Sequence, residues 1–138
     1  MPESSAHMDY VNICRDFIKN DIVPAGKDVF ILSDAPESIE KPPVVVGGVR
    51  PDVLYKHNGL LVIGEAKTEK DIDNPHSRKQ YNCYFQECEH FHGIKHIVFC
   101  TTWSACPQLW NIVKRMKKDC GYKTHVVVLF ELGKFKEG

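Results

Sequence analysis

Residues 50–67, RPDVLYKHNGLLVIGEAK, carry the strongest structural signal in the chain. Asn58-Gly59 separates two runs of β-forming residues, and this dipeptide favours a type I′ turn because both central residues then need positive φ. A two-residue turn at this point sets the register of the two strands that it joins. The register pairs His57 with Leu60, Tyr55 with Val62, and Asp52 with Glu65.

This register brings three ionisable side chains to one end of the predicted hairpin. Strand alternation puts Lys67 on the same face as Asp52 and Glu65, whereas Gly64 and Ala66 point to the other face, where a helix could pack closely. Two directly opposed carboxylates are destabilising unless a cation compensates them. That cation is either Lys67, in an exposed cluster without function, or a divalent ion such as Mg²⁺ or Mn²⁺. The spacing alone leaves both open.

The hydrophobic pattern outside the hairpin predicts three helices and further strands. Helical spacing and cap residues predict helices over residues 6–20, 74–93 and 104–120. Apolar runs predict strands over residues 29–32, 96–100 and 125–130, and a further extended region that begins at 44–46 and is interrupted at Gly47-Gly48. The order α-β-β-β-α-β-α-β indicates an α/β (α+β) fold, in which helices flank a mixed central sheet.

Length and composition are those of one globular domain. The 138 residues are 43% hydrophobic and 26% charged, which argues against disordered, collagen-like and coiled-coil chains. No apolar run approaches the ~20 residues of a membrane helix, and the N-terminus lacks a signal-peptide core. We therefore expect a cytoplasmic protein without a membrane partner. Since 18 basic and 18 acidic side chains cancel, a nucleic acid would have to bind a local patch.

The six cysteines lie within apolar stretches, which favours reduced core thiols over disulfides or a metal site. One cluster, made of Cys88, His90, His92 and His96, was weighed as a zinc site. Cys88 and His92 have the i,i+4 spacing of two ligands on one helix, but the cluster lacks paired CxxC spacing and a clear fourth ligand. Histidines at a helix end are the favoured interpretation.

Pro51-Asp52, followed after twelve residues by Glu65-Ala66-Lys67, resembles the signature of the PD-(D/E)XK nuclease superfamily. That superfamily includes restriction endonucleases, Holliday junction resolvases and RecB-like exonucleases. Gln80 and Tyr84 in the following helix are similar to the QxxxY motif of the RecB-like branch. The resemblance covers residues ~8 to 130 and implies a restriction-endonuclease-like core in one domain spanning residues 1–138.

The resemblance also implies roles for individual residues. The implied catalytic set is Asp52, Glu65, Lys67, Gln80 and Tyr84. Asp52, Glu65 and the carbonyl of Ala66 would hold one or two Mg²⁺ or Mn²⁺ ions, and Lys67 would contact the attacking water or the scissile phosphate. The residues expected to meet phosphates at the mouth of the site are Lys70, Arg78 and Lys79.

Two features fit less well or stay open. Many members of the superfamily carry another acidic residue on the first helix, whereas here Asp9 and Asp16 fall beside the apolar stripe, and Glu3 and His7 lie nearer to it. Because of this departure, the sequence does not decide whether the site holds one metal ion or two. The basic residues of the last helix form either a solvated face or a nucleic-acid patch; they are Lys114, Arg115, Lys117 and Lys118.

We therefore expect a Mg²⁺- or Mn²⁺-dependent deoxyribonuclease, a phosphodiesterase directed by structure or ends rather than strongly by sequence. Its partner would be DNA, with RNA as a second substrate class, because metal-assisted chemistry at phosphorus does not depend on the sugar. We expect it to act as a homo-oligomer or as a subunit of a nuclease complex. One alternative is a catalytically silent nuclease-fold subunit that binds nucleic acid or serves as a scaffold. Another is a zinc- or redox-responsive protein that uses its cysteines.

Overall fold

A computed structural model describes residues 5–34 and 40–138 of the chain. The helices are α1 (Ser5–Phe17), α2 (Pro75–Glu89) and α3 (Cys106–Cys120). The strands are β1 (Leu32–Ser33), β2 (Val53–His57), β3 (Leu60–Ala66), β4 (Ile94–Cys100), β5 (His125–Phe130) and β6 (Gly133–Glu137). All six strands form one sheet in the order β1-β2-β3-β4-β5-β6. The predicted class, a mixed central sheet flanked by helices, is confirmed.

The predicted hairpin is formed by β2 and β3. Asn58 has a φ of 49° and Gly59 a φ of 75°, as a type I′ turn requires. The predicted register is confirmed for the pairs from His57–Leu60 through Tyr55–Val62 to Val53–Gly64. Asp52 directly precedes the first paired residue, and continuing the register by one step brings it opposite Glu65.

The rest of the sheet brings strand ends together at one edge. β3, β4 and β5 are parallel neighbours, whereas the β1–β2, β2–β3 and β5–β6 pairs are antiparallel. α2 connects β3 to β4 and α3 connects β4 to β5, and both pack on the same face of the sheet. α1 covers the opposite face. The carboxyl ends of β3, β4 and β5 therefore lie side by side, next to the open end of the hairpin.

Close packing of α1 on the sheet depends on a small residue in β3. A Cβ atom at Gly64 would lie 2.9 Å from Val53 Cβ and 3.1 Å from Ile18 Cδ1, which is too close for ordinary contact. Ile18 begins a π-helical turn, Ile18–Ile22, that continues α1. Ala66 is buried on the same face. The prediction that Gly64 and Ala66 face a closely packed helix is confirmed.

Two strand predictions on the N-terminal side of the hairpin are wrong. Residues 29–32 were predicted to be a strand, but Asp28–Phe30 is a 3₁₀ turn and β1 is only Leu32–Ser33. In the extended region predicted to begin at 44–46, Val45 has an extended backbone, but the segment joins no strand and Val46–Gly48 is a 3₁₀ turn. There, the N–H of Val46 donates to Glu87 Oε1 of α2 (3.0 Å), so this backbone donor is satisfied by a side chain rather than by a strand.

Gly47 explains why this segment follows the surface of α2. Its φ is +82°, and a Cβ atom there would collide with Cys83 Sγ. Glycine avoids both the collision and the conformational cost of positive φ. The predicted interruption at Gly47-Gly48 is therefore confirmed, and its cause is the close approach of the backbone to α2, although the strand predicted around it is not confirmed.

The ends of two predicted helices also differ. α1 ends at Phe17 and continues as the π-helical turn, whereas α2 ends at Glu89, four residues before the predicted end at 93. The N–H of Ile94 donates to Gly59 O (2.9 Å), so the chain turns away to pair with β3. Because His92 lies beyond the end of α2, it does not share a helix with Cys88, and the alternative in which these two residues are zinc ligands on one helix is wrong.

The C-terminal part of the chain holds one unpredicted strand. α3 ends at Cys120, and Gly121 follows with a φ of 69°, which confirms the predicted helix stop. β6, Gly133–Glu137, reads GKFKE, and only Phe135 is partly buried. No hydrophobic pattern marked this edge strand, which forms by pairing with β5. In residues 5–34 and 40–138, no helix has both the length and the apolar character required to cross a bilayer.

Candidate active site

A cavity of about 310 Å³ opens where the hairpin end, the carboxyl end of β3 and the first turns of α2 meet. Its wall includes five of the predicted site residues: Asp52, Glu65, Ala66, Lys67 and Gln80. Tyr84 reaches the same place from one turn further along α2, through a hydrogen bond to Glu65. The structure thus brings together the residues predicted for catalysis and metal binding.

Asp52 is held at the point where the strand pairing ends. Its side chain is buried, with 6% of the residue exposed. Its Oδ2 accepts a hydrogen bond from the N–H of Ala66 (2.9 Å) and lies 3.3 Å from His7 Nε2 of α1. The backbone oxygen of Asp52 also accepts from the N–H of Asp34 (2.8 Å). These contacts fix the carboxylate across the end of the hairpin, and its Oδ1 is the oxygen not used by them.

Glu65 lies deeper, with 3% of the residue exposed. The hydroxyl of Tyr84 donates to its Oε1 (2.6 Å), and Lys67 Nζ lies 3.6 Å from its Oε2. Burial raises the pKa of Glu65 well above its ordinary value, and the negative charge of Asp52 adds to this effect, against the opposing effect of Lys67. The environment is therefore unfavourable to a second negative charge even though Lys67 is close.

Lys67 is the positive group of the cavity and is 6% exposed. Its backbone N–H donates to the carbonyl oxygen of Cys100 at the end of β4 (2.9 Å), and this hydrogen bond fixes the backbone of Lys67. Its Nζ donates to Gln80 Oε1 and lies 5.9 Å from the ring centroid of Tyr81. The ammonium group is thus held between Glu65 and α2, on the same side of the sheet as both carboxylates.

α2 supplies the side chains that hold Lys67 and Glu65. Asn74 caps the helix: its Oδ1 accepts from the N–H of Ser77 (2.8 Å), and Pro75 is the first helical residue, as predicted. Gln80 and Tyr84 follow at i,i+4 spacing, and both are buried. Burial raises the pKa of Tyr84, and the charge of Glu65 raises it further. The phenol therefore stays protonated and acts as a hydrogen-bond donor to the Glu65 carboxylate.

The three predicted phosphate-contacting residues lie outside this cavity. Lys70, Arg78 and Lys79 are exposed, and the described wall contains none of them. Arg78 forms two hydrogen bonds with Asp73, Nε to Oδ1 (2.6 Å) and Nη2 to Oδ2 (3.3 Å). It lines a separate groove between α2 and α3. Contact of these three residues with phosphate stays a prediction.

The structure adds residues that the sequence did not assign to the site. His7 approaches Asp52, and its only sequence signal was its position near the apolar stripe of α1. Asp9 and Asp16 are exposed, which confirms that they fall outside that stripe. The remaining added wall residues are Asp34, Arg50, Thr68, Asp71, Asn74, His76 and Ser77. Most of them lie on loops or at a helix start, where periodicity carries no information about direction.

The case for a bound metal ion depends on the two carboxylates, because the described residues contain no larger cluster of metal-ligating side chains. Within residues 5–34 and 40–138, no group of three or more His, Cys, Asp and Glu side chains is arranged to hold a metal ion. The predicted set uses only two such side chains, Asp52 and Glu65, together with a backbone carbonyl. The predicted metal site is therefore neither supported nor contradicted by this finding.

The cysteines behave mainly as core residues. All six are free thiols, of which five are buried and Cys120 is exposed. Burial raises the pKa of Cys88 to about 12 and that of Cys106 to about 11. Because the thiolate is the reactive form, both groups are poor nucleophiles and poor metal ligands near neutral pH.

Comparisons of the chain with family models, with curated proteins and with solved structures find no match. Function therefore has to be inferred from the side chains that the fold brings together. Those side chains are two carboxylates and one ammonium group, each fixed by hydrogen bonds, in a cavity that opens to solvent at the edge of the sheet.

Proposed function

We propose that this chain is a metal-dependent nuclease of the PD-(D/E)XK type, which hydrolyses phosphodiester bonds of DNA. The observation that carries the proposal is the burial of Asp52, Glu65 and Lys67 in one cavity. Among the described residues, these three are the only charged side chains that are buried. Burying charge is costly and is tolerated where charges are paired or serve a function. Here one buried ammonium group accompanies two buried carboxylates: Lys67 Nζ lies 3.6 Å from Glu65 Oε2, whereas Asp52 Oδ2 lies 3.3 Å from His7 Nε2.

A divalent cation fits this donor set. Burial first and the charge of Asp52 second raise the pKa of Glu65, and Lys67 opposes the shift, so a further cation beside the two carboxylates would be favourable. Carboxylate and carbonyl oxygens are ligands that Mg²⁺ and Mn²⁺ prefer, with water completing the coordination. We infer that Asp52, Glu65 and the carbonyl of Ala66 hold one or two such ions. When bound, the ion would lower the pKa of a water molecule and neutralise charge on the phosphoryl oxygens.

Lys67 would stabilise the negative charge that develops on the reacting phosphate. Its ammonium group is preorganised by Gln80 and Glu65, and therefore little reorganisation is needed when the substrate arrives. The low exposure of Lys67 strengthens its interaction with an anionic group, since less water screens the charge. A hydrogen bond from Nζ to the attacking water or to a phosphate oxygen would use a donor that now points to Gln80.

Gln80 and Tyr84 would act by positioning other groups. Gln80 Oε1 accepts from Lys67 Nζ and fixes the direction of the ammonium group. The hydroxyl of Tyr84 donates to Glu65 Oε1 and also lies 3.2 Å from Arg50 O. Each holds one member of the Asp52–Glu65–Lys67 cluster from the same helix face, so a shift of α2 would move both members together.

The succession of elements supports the restriction-endonuclease-like core that belongs to this proposal. From α1 to β5 the chain follows the order α-β-β-β-α-β-α-β, and β6 adds an antiparallel strand at the edge. The cavity lies at the carboxyl ends of parallel strands, where open α/β sheets commonly bind ligands.

A nuclease assay tests the proposal. Purified protein is incubated with Mg²⁺ or Mn²⁺ and with supercoiled plasmid, linear duplex, single-stranded DNA or a branched junction. Lys67→Met removes the charge while nearly keeping the volume, and Lys56→Met removes an exposed lysine on β2 as the matched control. We expect cleavage by wild type and Lys56→Met, no cleavage in EDTA, and a loss for Lys67→Met on the order of 10²-fold or more.

Two results would contradict the proposal. Equal cleavage by wild type and Lys67→Met would show that the activity does not come from this cavity. Absence of metal-dependent cleavage on every DNA substrate, by protein whose circular dichroism shows it folded, would favour a silent nuclease-fold subunit. If cleavage occurs, the preferred substrate tests the expectation that structure or ends direct it, and a parallel RNA substrate tests the choice of DNA.

A further inference from the structure

The basic side chains of α3 form a charged surface on a chain whose net charge is zero. α3 contains four basic residues and one acidic residue, Asp119, although the whole chain has 18 of each sign. Lys114, Arg115 and Lys118 are exposed. In the part of the chain that the structure describes, no acidic group forms an ion pair with any of the three within 4.0 Å. Lys114 Nζ lies 5.9 Å from the centroid of the Trp110 ring.

This arrangement is unfavourable for the isolated helix. Lys114 and Lys118 are at i,i+4 spacing, where like charges destabilise a helix by a few tenths of a kcal/mol. The Cα atoms of Lys114 and Lys118 are about 6 Å apart along the helix axis. Arg115 directly follows Lys114 in sequence. Three neighbouring cations, none of which forms an ion pair within 4.0 Å among the described residues, are therefore a ready site for a polyanion.

The same residues line a groove of about 760 Å³ between α2 and α3, which we call the α3 groove. Its basic lining residues are Arg78, Lys114, Arg115 and Lys118, and one acidic residue, Asp119, also lines it. Arg78 directly follows Ser77, which lines the cavity of the candidate active site. The linings of the groove and the cavity therefore adjoin at these two consecutive residues of α2, whose Cα atoms are about 3.8 Å apart.

We propose that the α3 groove binds the sugar-phosphate backbone of the nucleic acid whose reacting phosphate lies in the cavity. This inference rests on the proposed function. Cationic side chains on one helix face are a common means of contacting phosphates, which position the nucleic acid without reading its sequence. Continuity with the cavity favours a nucleic acid over a lipid surface or an acidic peptide, because one strand can occupy both places.

Arg78 is available for such a contact although it is paired with Asp73. Both side chains of this pair are about half-exposed, and exposed ion pairs contribute little to stability. A phosphate can replace the Asp73 carboxylate as the acceptor of two parallel hydrogen bonds from the guanidinium group. The three residues of α3 carry the test, because none of them forms an ion pair within 4.0 Å in the part of the chain that the structure describes.

Binding is measured without chemistry, in EDTA, by fluorescence anisotropy of a labelled single strand and of its duplex between 50 and 200 mM KCl. The test variant is Lys114→Gln/Arg115→Gln/Lys118→Gln. The control, Lys19→Gln/Lys27→Gln/Lys56→Gln, makes the same change of net charge at exposed sites outside the groove. We expect the test variant to bind on the order of tenfold or more weakly and its salt slope to be less steep by about 2 to 3. The control should stay within about twofold of wild type.

The outcomes separate this inference from the proposed function. Equal binding by the test and control variants, or no binding of nucleic acid by wild type, would overturn the proposal that the α3 groove binds nucleic acid. Loss of binding in the test variant supports nucleic-acid binding by the α3 groove, whether or not the protein cleaves its substrate. Absence of cleavage with every metal ion would contradict only the nuclease chemistry. Binding of anionic vesicles of phosphatidylserine and phosphatidylcholine through the same three residues, without binding of DNA or RNA, would also overturn the proposal for the α3 groove.

Discussion

Glu65 shows how the environment of a single residue gives an ordinary side chain an unusual property. Its carboxyl group is buried, faces a second carboxyl group on Asp52, and is only partly compensated by Lys67. Tyr84 donates to one of its oxygens, which partly stabilises the ionised form. Burial and the charge of Asp52 together make the ionised form of Glu65 less favourable here than in water. A bound cation would offset that cost.

Glu65 should impose a pH dependence on stability. Because its pKa in the folded state is above the unfolded value of about 4.3, the folded state holds the proton more tightly. Stability is therefore lost as pH rises above about 4.3 toward the folded pKa. Glu65→Gln cannot ionise at this position. The Tm of the variant minus the Tm of wild type should therefore increase as the pH rises from 4 to 7. Thermal unfolding in EDTA, followed by circular dichroism, measures this difference.

The exposed residue Glu131 supplies the control for this pH dependence. Glu131→Gln removes a carboxyl group that is not buried, and its Tm should follow that of wild type at every pH. A difference between Glu65→Gln and wild type that stays constant from pH 4 to pH 7 would contradict the raised pKa of Glu65.

At the scale of elements, α2 links the start of a helix to the chemistry of the cavity. Its N-cap, Asn74, lies in the wall of the cavity, and the side chains that hold Lys67 and Glu65 project from its second and third turns. On the other face of the sheet, the absence of a side chain at Gly64 lets Ile18 approach β3. The hairpin end is therefore fixed from both faces of the sheet.

Removal of the Asn74 cap should weaken α2. Asn74→Ala leaves the N–H of Ser77 without its side-chain acceptor, and such losses cost about 1 kcal/mol. Asn74→Asp keeps an acceptor oxygen and adds a negative charge near the helix N-terminus, where it is favourable. We expect the free energy of unfolding in urea to fall for Asn74→Ala and not for Asn74→Asp. Equal stability of Asn74→Ala and wild type would contradict the capping role.

At the scale of the whole molecule, the protein carries two surfaces of opposite charge. The cavity at the carboxyl end of β3 has more acidic than basic lining residues, whereas the outer side of α3 is basic. The zero net charge of the chain therefore conceals two local fields of opposite sign. An anionic substrate would be attracted by the basic surface, and the acidic cavity would accept it once a cation is bound.

Mg²⁺ should stabilise the folded protein through the cavity. A ligand that binds only the folded state raises stability by RT ln(1 + [L]/Kd), about 1.4 kcal/mol at ten times Kd. We expect MgCl₂ at millimolar concentration to raise the Tm of wild type near pH 7, and EDTA to reverse the change. NaCl of equal ionic strength controls for screening. Asp52→Asn should lose most of the rise, and an equal rise in this variant would indicate that the ion binds elsewhere.

The sequence by itself determined the features that depend on near neighbours. The Asn58-Gly59 turn and strand alternation set the register that opposes Asp52 to Glu65 and puts Lys67 on their face, because a two-residue turn leaves one pairing. Helical spacing likewise put Gln80 and Tyr84 on one inward stripe. The boundaries at 29–32, 44–46 and 93 were mispredicted because local preference there yields to contacts with distant parts of the chain.

Only the tertiary structure decided how these local units meet. His7 reaches Asp52 across 45 positions of sequence, and Arg78, although adjacent in sequence to the cavity residue Ser77, faces the α3 groove. β6 exists because β5 offers an edge for pairing. The burial that shifts the pKa of Glu65 comes from α2 and the sheet together. Such features depend on packing between elements, and packing is set by the whole chain rather than by any short stretch of it.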